Sequence, residues 1–184
     1  GYGSGRAEAF ANSAGQSVSG RHTSAIMDGI HQTATSAGTA HAASVAIGDL
    51  DGGRVGELAA RRAIDSATPF DAKPGEYEVV LAPEAVATVG VFLGFYGFNG
   101  KMLSEGQSFV ELGSQQFDER FQMWDDVTDP RAIGVPFDSE GTPKGHLDLV
   151  VDGVTSGVAH NRKTAKKLGV DSTGNNVTGS ESWG

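Results

Sequence analysis

The segment from Glu76 to Lys101 constrains the fold most, because it is the most apolar part of the chain. It begins with a β-branched and aromatic run, Tyr77–Leu81, which predicts a buried strand. Pro83 follows, and proline suits the first turn of a helix because its missing N–H would be unsatisfied there anyway. Apolar residues then recur at helical spacing, namely Ala85, Val86, Val89, Phe92, Leu93 and Tyr96. We therefore expect a strand and then a helix at about 84–99, with the core of the protein built on both.

Composition excludes several classes of protein. The chain has 184 residues, which is enough to bury a core, and it has no cysteine, so it offers no disulfide, thiol nucleophile or thiolate ligand. A formal charge of -9 argues against nucleic acid as a partner. The apolar helix would be about 21 Å long, short of the roughly 30 Å of a bilayer core, so we expect no membrane association. No secretion signal is visible, which predicts a cytoplasmic location.

The first half of the chain predicts an antiparallel meander followed by a helix. Alternating and β-branched patterns predict strands, at 6–12, 16–27, 29–37 and 39–47. A broad apolar side predicts a helix at about 53–67, with Asp51 as its N-cap and Pro69 beyond its end.

The second half predicts glycine-punctuated strands and a short helix. Candidate strands are 108–112 and 120–125, and Asp152-Gly153 between apolar runs at 146–151 and 154–159 is a strong hairpin signal. A helix is expected at 163–168. The fold class is therefore α+β, with mostly antiparallel sheets packed against two main helices (about 53–67 and 84–99). We expect an α+β region at 6–103, a β-rich region at 104–175 and a flexible tail at 176–184.

Several clusters of ionisable residues invite a chemical interpretation, each with a plainer alternative. His146 and Asp148 share one face of a predicted strand and could contribute to a metal site, but the sequence favours a solvated hairpin face. Three acidic residues, Asp125, Asp126 and Asp129, lack the spacing of a calcium loop and favour an exposed turn.

Asp138 and Glu140, two residues apart, form the remaining pair of carboxylates. They suit either paired acid–base chemistry or a structural turn in the segment Phe137–Gly141. From these residues alone, no catalytic activity is established.

Four stretches together resemble the TldD/PmbA family, metallopeptidase-related proteins once called modulators of DNA gyrase. They are Ala11–Gly15, Val79–Lys101, Gly134–Gly141, and Asp152-Gly153 leading to Ser172–Asn175. The resemblance covers about Ala7 to Asn175 and corresponds to the middle and later part of a family member. By the family motif, Asp138, Glu140 and Gly141 are expected to contribute to binding.

The resemblance also implies a position for the family's zinc motif. Peptidase-active TldD-type members carry His-Glu-x-x-x-His at the start of the apolar helix, with two zinc ligands and a glutamate suited to general-base chemistry. Here Glu84 matches the glutamate, whereas Pro83 and Thr88 stand at the two ligand positions. Neither side chain offers a nitrogen to zinc. The chain therefore resembles the PmbA (TldE) branch, for which no metal is expected in this chain and zinc is expected in a TldD-type partner.

The resemblance thus implies a metal-free subunit that pairs with a TldD-type metallopeptidase to process small unfolded peptides. One alternative is a metallopeptidase active on its own through an atypical site built from His146, His160 or the acidic residues. The other is a peptide-binding scaffold without a peptidase partner.

Overall fold

The structure is a computed structural model that describes residues 1–179. Within that range the protein is α+β, with two antiparallel three-stranded sheets and four helices. The chain divides into two compact units, one of Gly1–Arg6 with His22–Glu84, the other of Ala7–Arg21 with the chain from Ala85 onward. The domain boundary predicted near residue 104 stays a prediction. Among the described residues no helix has the length and apolarity needed to cross a bilayer.

The first sheet carries the strands β1 (Tyr2–Ala11), β2 (Ser17–Gln32) and β3 (Ala37–Ser44), in that order. A tight turn joins the first two strands, as the predicted meander requires. The Asn12 Oδ1 accepts from the backbone N–H groups of Ala14 and Gln16, and Gly15 has a φ of 85°, which glycine adopts without strain. The strands predicted at 16–27 and 29–37 form one strand that ends at Gln32, because Asp28 and Gly29 pair with β3 without interruption. Residues 33–36 connect this strand to β3, which begins at Ala37.

In the first unit, helix α1 (Gly52–Asp65) packs on β3. Asp51 caps it as predicted, since its side chain accepts a hydrogen bond of 3.0 Å from the Arg54 N–H. Its buried side, with Val55 and Ala59, forms a small core together with Ala40 of β3. The predicted helix at 53–67 is confirmed, with its end near Ser66.

Helix α2 (Pro83–Tyr96), which belongs to the second unit from Ala85 onward, is followed by α3 (Gly100–Ser104) and a second sheet. That sheet has the strands β4 (Met123–Asp126), β5 (His146–Val151) and β6 (Val154–Thr155). The predicted Asp152-Gly153 hairpin is confirmed, and both residues have positive φ, 49° and 75°, as a type I′ turn requires. Helix α4 (Arg162–Leu168) confirms the short helix predicted at 163–168. The core cluster is Phe98, Val110, Leu149, Val150 and Val158.

Two strand predictions are wrong. Residues 108–112 form no strand. Instead the Ser108 hydroxyl donates to the Gly97 carbonyl and accepts from the Val110 N–H within the same loop. The run Tyr77–Leu81 is neither a strand nor buried, and Val80 is 100% exposed. The residues of that run have strand propensity, but among the described residues no neighbouring strand pairs with them.

The apolar segment also fails as the predicted core. Helix α2 forms where predicted, yet none of its residues is buried. It ends at Tyr96, earlier than 99, and Asn99 already caps α3. Of the α2 residues, Leu93 packs against the core cluster of the second unit. The core therefore lies beside this helix and is not built on it.

Candidate functional site

The family's catalytic position lies at the first turn of α2, where Glu84 meets Arg62 of α1. The two guanidinium nitrogens of Arg62 donate to the two carboxylate oxygens of Glu84, at 3.1 and 3.3 Å. Such a two-pronged pair fixes the orientation of both groups. Arg62 also donates to the Thr39 carbonyl at 2.7 Å, which anchors the guanidinium to β3. Glu84 is thus held as the acceptor in an ion pair.

This pairing acts on the acidity of Glu84 in one direction. The hydrogen bonds from Arg62 hold the pKa of the Glu84 carboxyl below its ordinary value. A general base works best with a pKa raised towards the operating pH, so that it can take a proton and give it up. The environment of Glu84 therefore opposes the role that the resemblance gives to this position.

The residues around Glu84 do not fit a zinc ion. Pro83 has no side-chain donor atom, and Thr88 offers a neutral hydroxyl, whereas zinc in proteins is held by imidazole, thiolate or carboxylate. Throughout residues 1–179, no group of three or more His, Cys, Asp or Glu side chains is placed to hold a metal ion. We therefore derive no catalytic step through zinc on this chain.

His146 lies between two carboxylates on an exposed face of the second sheet. Its Nε2 is 2.8 Å from Asp148 Oδ1 and its Nδ1 is 3.1 Å from Asp126 Oδ2. Asp148, followed by Asp126, raises the pKa of the imidazole. Because both ring nitrogens face carboxylates, the arrangement suits a protonated imidazolium and not a metal ligand. The solvated hairpin face is confirmed.

The acidic residues of the β4 end are each engaged separately. Asp126 accepts from the Thr128 hydroxyl and N–H, which together with His146 lower the pKa of that carboxyl. Asp129 pairs with Arg131, which lowers the pKa of Asp129 to about 2. Asp125 accepts from the Asn175 amide at 2.8 Å. The three residues lie at the end of β4 and in the turn after it, where they are half-buried, so the prediction of an exposed turn is wrong in its exposure. Each carboxylate has its own partner, and among the described residues they are not placed to share a cation.

His160 serves the packing of the second unit. It is buried, which lowers the pKa of its imidazole, and its Nδ1 lies 3.3 Å from the Thr164 hydroxyl. Its backbone carbonyl accepts from the Ser172 and Thr173 hydroxyls, within the last stretch that carries the family resemblance. Gly100 packs directly on the ring, where a Cβ would lie 2.3 Å from Nδ1. This stretch therefore closes around His160 through backbone hydrogen bonds.

The loop 138–142 holds the residues expected to bind by family motif. Asp138 is buried, and its Oδ1 accepts from the N–H groups of Glu140 and Thr142 while its Oδ2 accepts from the Asn176 N–H. A buried carboxylate with three backbone donors stabilises the turn and ties residue 176 to it. Asn176, the first residue of the predicted tail, is thus anchored, whereas 180–184 lie outside the described residues.

Glu140 and Gly141 have equally definite surroundings. The Glu140 Oε2 accepts from the Arg162 N–H at 2.9 Å, so this carboxylate caps the first turn of α4. Gly141 has a φ of 72° and presses on Phe10, where a Cβ would lie 2.3 Å from the ring. The structure brings Asp138, Glu140 and Gly141 together in one turn with structural roles. Their role in binding stays a prediction.

Sequence reasoning missed Arg62. It is 22 positions before Glu84 and lies near the end of a different helix, so no local motif connects them. The available signal was weak: an arginine on the polar side of α1, one of several charged residues there.

Relatives of known name match this chain in part. A metalloprotease from Synechocystis sp. is 34% identical over 136 residues, which are 70% of this chain and 29% of that protein. A metalloprotease from Methanothermobacter thermautotrophicus is 32% identical over 130 residues, 67% of this chain and 27% of that protein. The chain therefore spans less than a third of the length of these relatives.

Solved structures share the fold. A Thermotoga maritima protein named as a modulator of a DNA gyrase superposes with a TM-score of 0.80 at 25% identity, over 94% of this chain and 42% of that one. TldE from Thermococcus kodakarensis superposes with a TM-score of 0.75 at 20% identity, over 99% of this chain and 43% of that one. At that identity, the likeness to TldE supports the fold alone.

The sequence comparison is decisive for the family. A family model described as the PmbA/TldA metallopeptidase C-terminal domain matches residues 74–183, which include α2 and every helix and strand after it. The resemblance drawn from the four sequence stretches is confirmed. This chain belongs to the metallopeptidase-related PmbA/TldD family.

Proposed function

We propose that this chain belongs to a metal-free subunit that pairs with a TldD-type zinc metallopeptidase subunit in a complex that processes small unfolded peptides. In this arrangement the partner supplies the zinc and the bond-breaking chemistry. This chain supplies part of the wall that encloses the substrate and part of the surface that binds it.

One observation carries the proposal. At the position where peptidase-active members have their catalytic glutamate, Glu84 is held by Arg62 in a two-pronged ion pair between Pro83 and Thr88. An arginine at this distance stabilises the ionised carboxylate of Glu84, so that the carboxylate accepts a proton less readily. A partner with an intact His-Glu-x-x-x-His segment is therefore needed for zinc chemistry.

The peptide surface in this proposal is the exposed backbone of the sheets. In the first sheet, the outer edges of β1 and β3 have no further strand beside them among the described residues. An extended peptide binds such an edge through main-chain hydrogen bonds, which need no particular sequence. That mode of binding suits a substrate defined by being unfolded.

The first test is the zinc content of the full-length protein, purified without its companion and measured by elemental mass spectrometry. We expect well below one zinc atom per chain, and co-purification with a TldD-type subunit expressed beside it. About one atom per chain that survives dialysis would overturn the proposal. So would a full-length protein that stays monomeric in the presence of its companion.

A second candidate is a metallopeptidase that is active on its own, and the names of the two partial relatives favour it. Both are called metalloproteases, although this chain spans less than a third of each. Under this hypothesis the isolated full-length protein hydrolyses unfolded peptides, and a chelator abolishes the activity. Under the first proposal the isolated protein has no such activity, and adding the companion creates it.

A further inference from the structure

His146, the first residue of β5, lies between two carboxylates of the second sheet. In the register of that sheet it stands opposite Asp126, the last residue of β4, while Asp148 follows it two positions along β5 on the same face. The His146 Nε2 is 2.8 Å from Asp148 Oδ1, and its Nδ1 is 3.1 Å from Asp126 Oδ2. We call these three side chains the His146 bridge. All three belong to the second unit and to two paired strands, so the chain itself sets their geometry.

The geometry of the bridge requires a bound proton. A neutral imidazole has one N–H and one lone pair, whereas the imidazolium has an N–H on each nitrogen. With a carboxylate beside each nitrogen, the neutral ring donates to one carboxylate and turns a lone pair towards the other. Only the protonated ring donates to both. The His146 side chain is 48% exposed, so the ring exchanges its proton directly with water.

The surrounding charged groups do not replace this proton. Among the described residues, Asp126 and Asp148 form ion pairs with His146 alone. The other charged side chains beside the bridge form pairs of their own, namely Lys144 with Asp125 and Arg131 with Asp129. Strand β6, which pairs with the end of β5, carries no ionisable side chain. Loss of the proton therefore leaves two carboxylates around a neutral ring.

The bridge is also connected to the last stretch that carries the family resemblance. Asp126 accepts from the Thr128 hydroxyl and N–H, at 2.6 and 2.8 Å, and so fixes the turn that follows β4. Asp125, the residue before it, accepts from the Asn175 amide at 2.8 Å. The end of β4 thus holds both this turn and the segment that contains Asn175. A change in how firmly this end pairs with β5 therefore reaches both.

We propose that the His146 bridge is a pH-sensitive clamp, which holds the end of β4 on β5 while its proton is bound and loosens that end, together with the segment around Asn175, when the proton leaves. The inference concerns the second unit alone and does not depend on the proposed partner. It assigns to these three side chains a regulatory role in place of the metal site that their residue types suggested.

The direction of the pH response follows from the charges. Asp148, followed by Asp126, raises the pKa of the His146 imidazole from its ordinary 6.5. In the unfolded chain the three groups are dispersed, so the pKa returns to the ordinary value. The stability that the bridge contributes is therefore fully present below pH 6.5 and is lost as the pH rises through the raised pKa. The clamp opens on the alkaline side.

The first test is an NMR titration of the full-length protein labelled with carbon-13 histidine, in which His146→Gln identifies the His146 signal. We expect a midpoint above 6.5 that falls in Asp148→Asn and in Asp126→Asn, because each variant removes one negative charge from beside the ring. A midpoint at or below 6.5, or one that neither variant lowers, would overturn the inference.

The second test is hydrogen exchange of the amides of 123–129 and 172–176 below and above that midpoint, corrected for the intrinsic effect of pH. Their protection, relative to the amides of α1, should fall by roughly twofold to fivefold when the proton leaves, as expected for partly exposed ion pairs. His146→Gln should show no such step. His41→Gln is the matched control and should keep the step, since His41 pairs with Asp28 at 2.7 Å on the first sheet. Circular dichroism verifies that both variants are folded.

Two results of the exchange measurement would overturn the inference. Protection that stays constant through a raised midpoint would mean that the ring binds its proton without clamping the strand. A step that persists in His146→Gln would mean that another group titrates. Both results leave the proposed function standing, because neither concerns the zinc content or the binding of a companion.

Discussion

Helices α1 and α2 are both 14 residues long, but the chain completes the packing of only one of them. On α1, Val55, Ala59 and Ala63 recur every four residues and are buried, while the other side carries charged residues. On α2, apolar residues occupy nearly every side, and none is buried. The apolar side of α1 is buried within this chain, whereas the apolar surface of α2 is not.

The difference shows what each kind of sequence signal measures. Periodicity reports that a helix has one side for a core and one for solvent, and α1 satisfies both demands at once. Apolarity on every side reports that a helix is surrounded in the assembled protein, without saying which chain surrounds it. The strongest apolar signal in this sequence therefore lies on an exposed helix and not in the core of the described residues.

The largest effect is expected at Gly38, where β3 approaches α1 most closely. A Cβ at this position would lie 2.2 Å from the Ala59 carbonyl oxygen and 2.3 Å from the Ala63 nitrogen. Because the obstacle is helix backbone, which cannot move aside locally, Gly38→Ala should lower the free energy of unfolding by about 3 kcal/mol. Urea denaturation followed by circular dichroism measures this. Gly56→Ala on the same helix is the control, since its nearest neighbour is the His31 Nε2 at 4.0 Å. A loss of similar size at both positions would show that the α1–β3 contact is not the reason.

The N-cap of α1 should come next in magnitude. Removing the Asp51 carboxylate leaves the Arg54 N–H without its 3.0 Å acceptor, so Asp51→Ala should lower the free energy of unfolding by about 1 kcal/mol. The control is Asp65→Ala at the opposite end of α1, where a negative charge opposes the helix dipole and its removal should cost nothing. Equal destabilisation by both variants would argue against capping.

A substitution at Gly90 of α2 should raise the stability of the chain, whereas the two substitutions above should lower it. Nothing lies within 4 Å of a Cβ built at this position, so Gly90→Ala should stabilise the 184-residue chain by about 0.8 kcal/mol through helix propensity alone. Thermal unfolding measures the gain. In the assembled complex the gain should shrink or reverse if another backbone packs against Gly90. A loss of stability in the isolated chain would contradict the exposed position of α2.

The sequence alone was sufficient to predict those features that depend on residues close to one another along the chain. The Asp51 cap, the Asp152-Gly153 turn and the helices at 53–67 and 163–168 each depend on residues within a few positions of one another. The run Tyr77–Leu81 could not be placed in the same way. Its propensity for a strand is real, but a strand also needs a neighbour, and propensity contains no information about where that neighbour is.

The same distinction between local signals and contacts distant in sequence applies to the candidate site. Pro83, Glu84 and Thr88 could be assigned to the family's metal motif from the sequence, because the family resemblance aligns them with that motif within six consecutive residues. The partner of Glu84 could not be assigned, because Arg62 reaches it only through the folding of α1 onto β3. Contacts between elements decide the chemistry of a group, and a single sequence records them poorly.

The smallest expected effect concerns this pair, which links the end of α1 to the start of α2. The pKa of Glu84 is lowered from its ordinary 4.5 by the hydrogen bonds from Arg62, so the folded state prefers the ionised carboxylate. The stability that this pair contributes is therefore fully present above pH 4.5 and is lost as the pH falls through the lowered pKa. Glu84→Gln should reduce stability slightly at neutral pH and have no effect in acid, since the wild type has then lost the same charge. The urea midpoints of the two proteins, measured from neutral pH downward, should converge below 4.5. Midpoints that stay equally separated at every pH would show that packing of the side chain, and not its charge, joins the two helices.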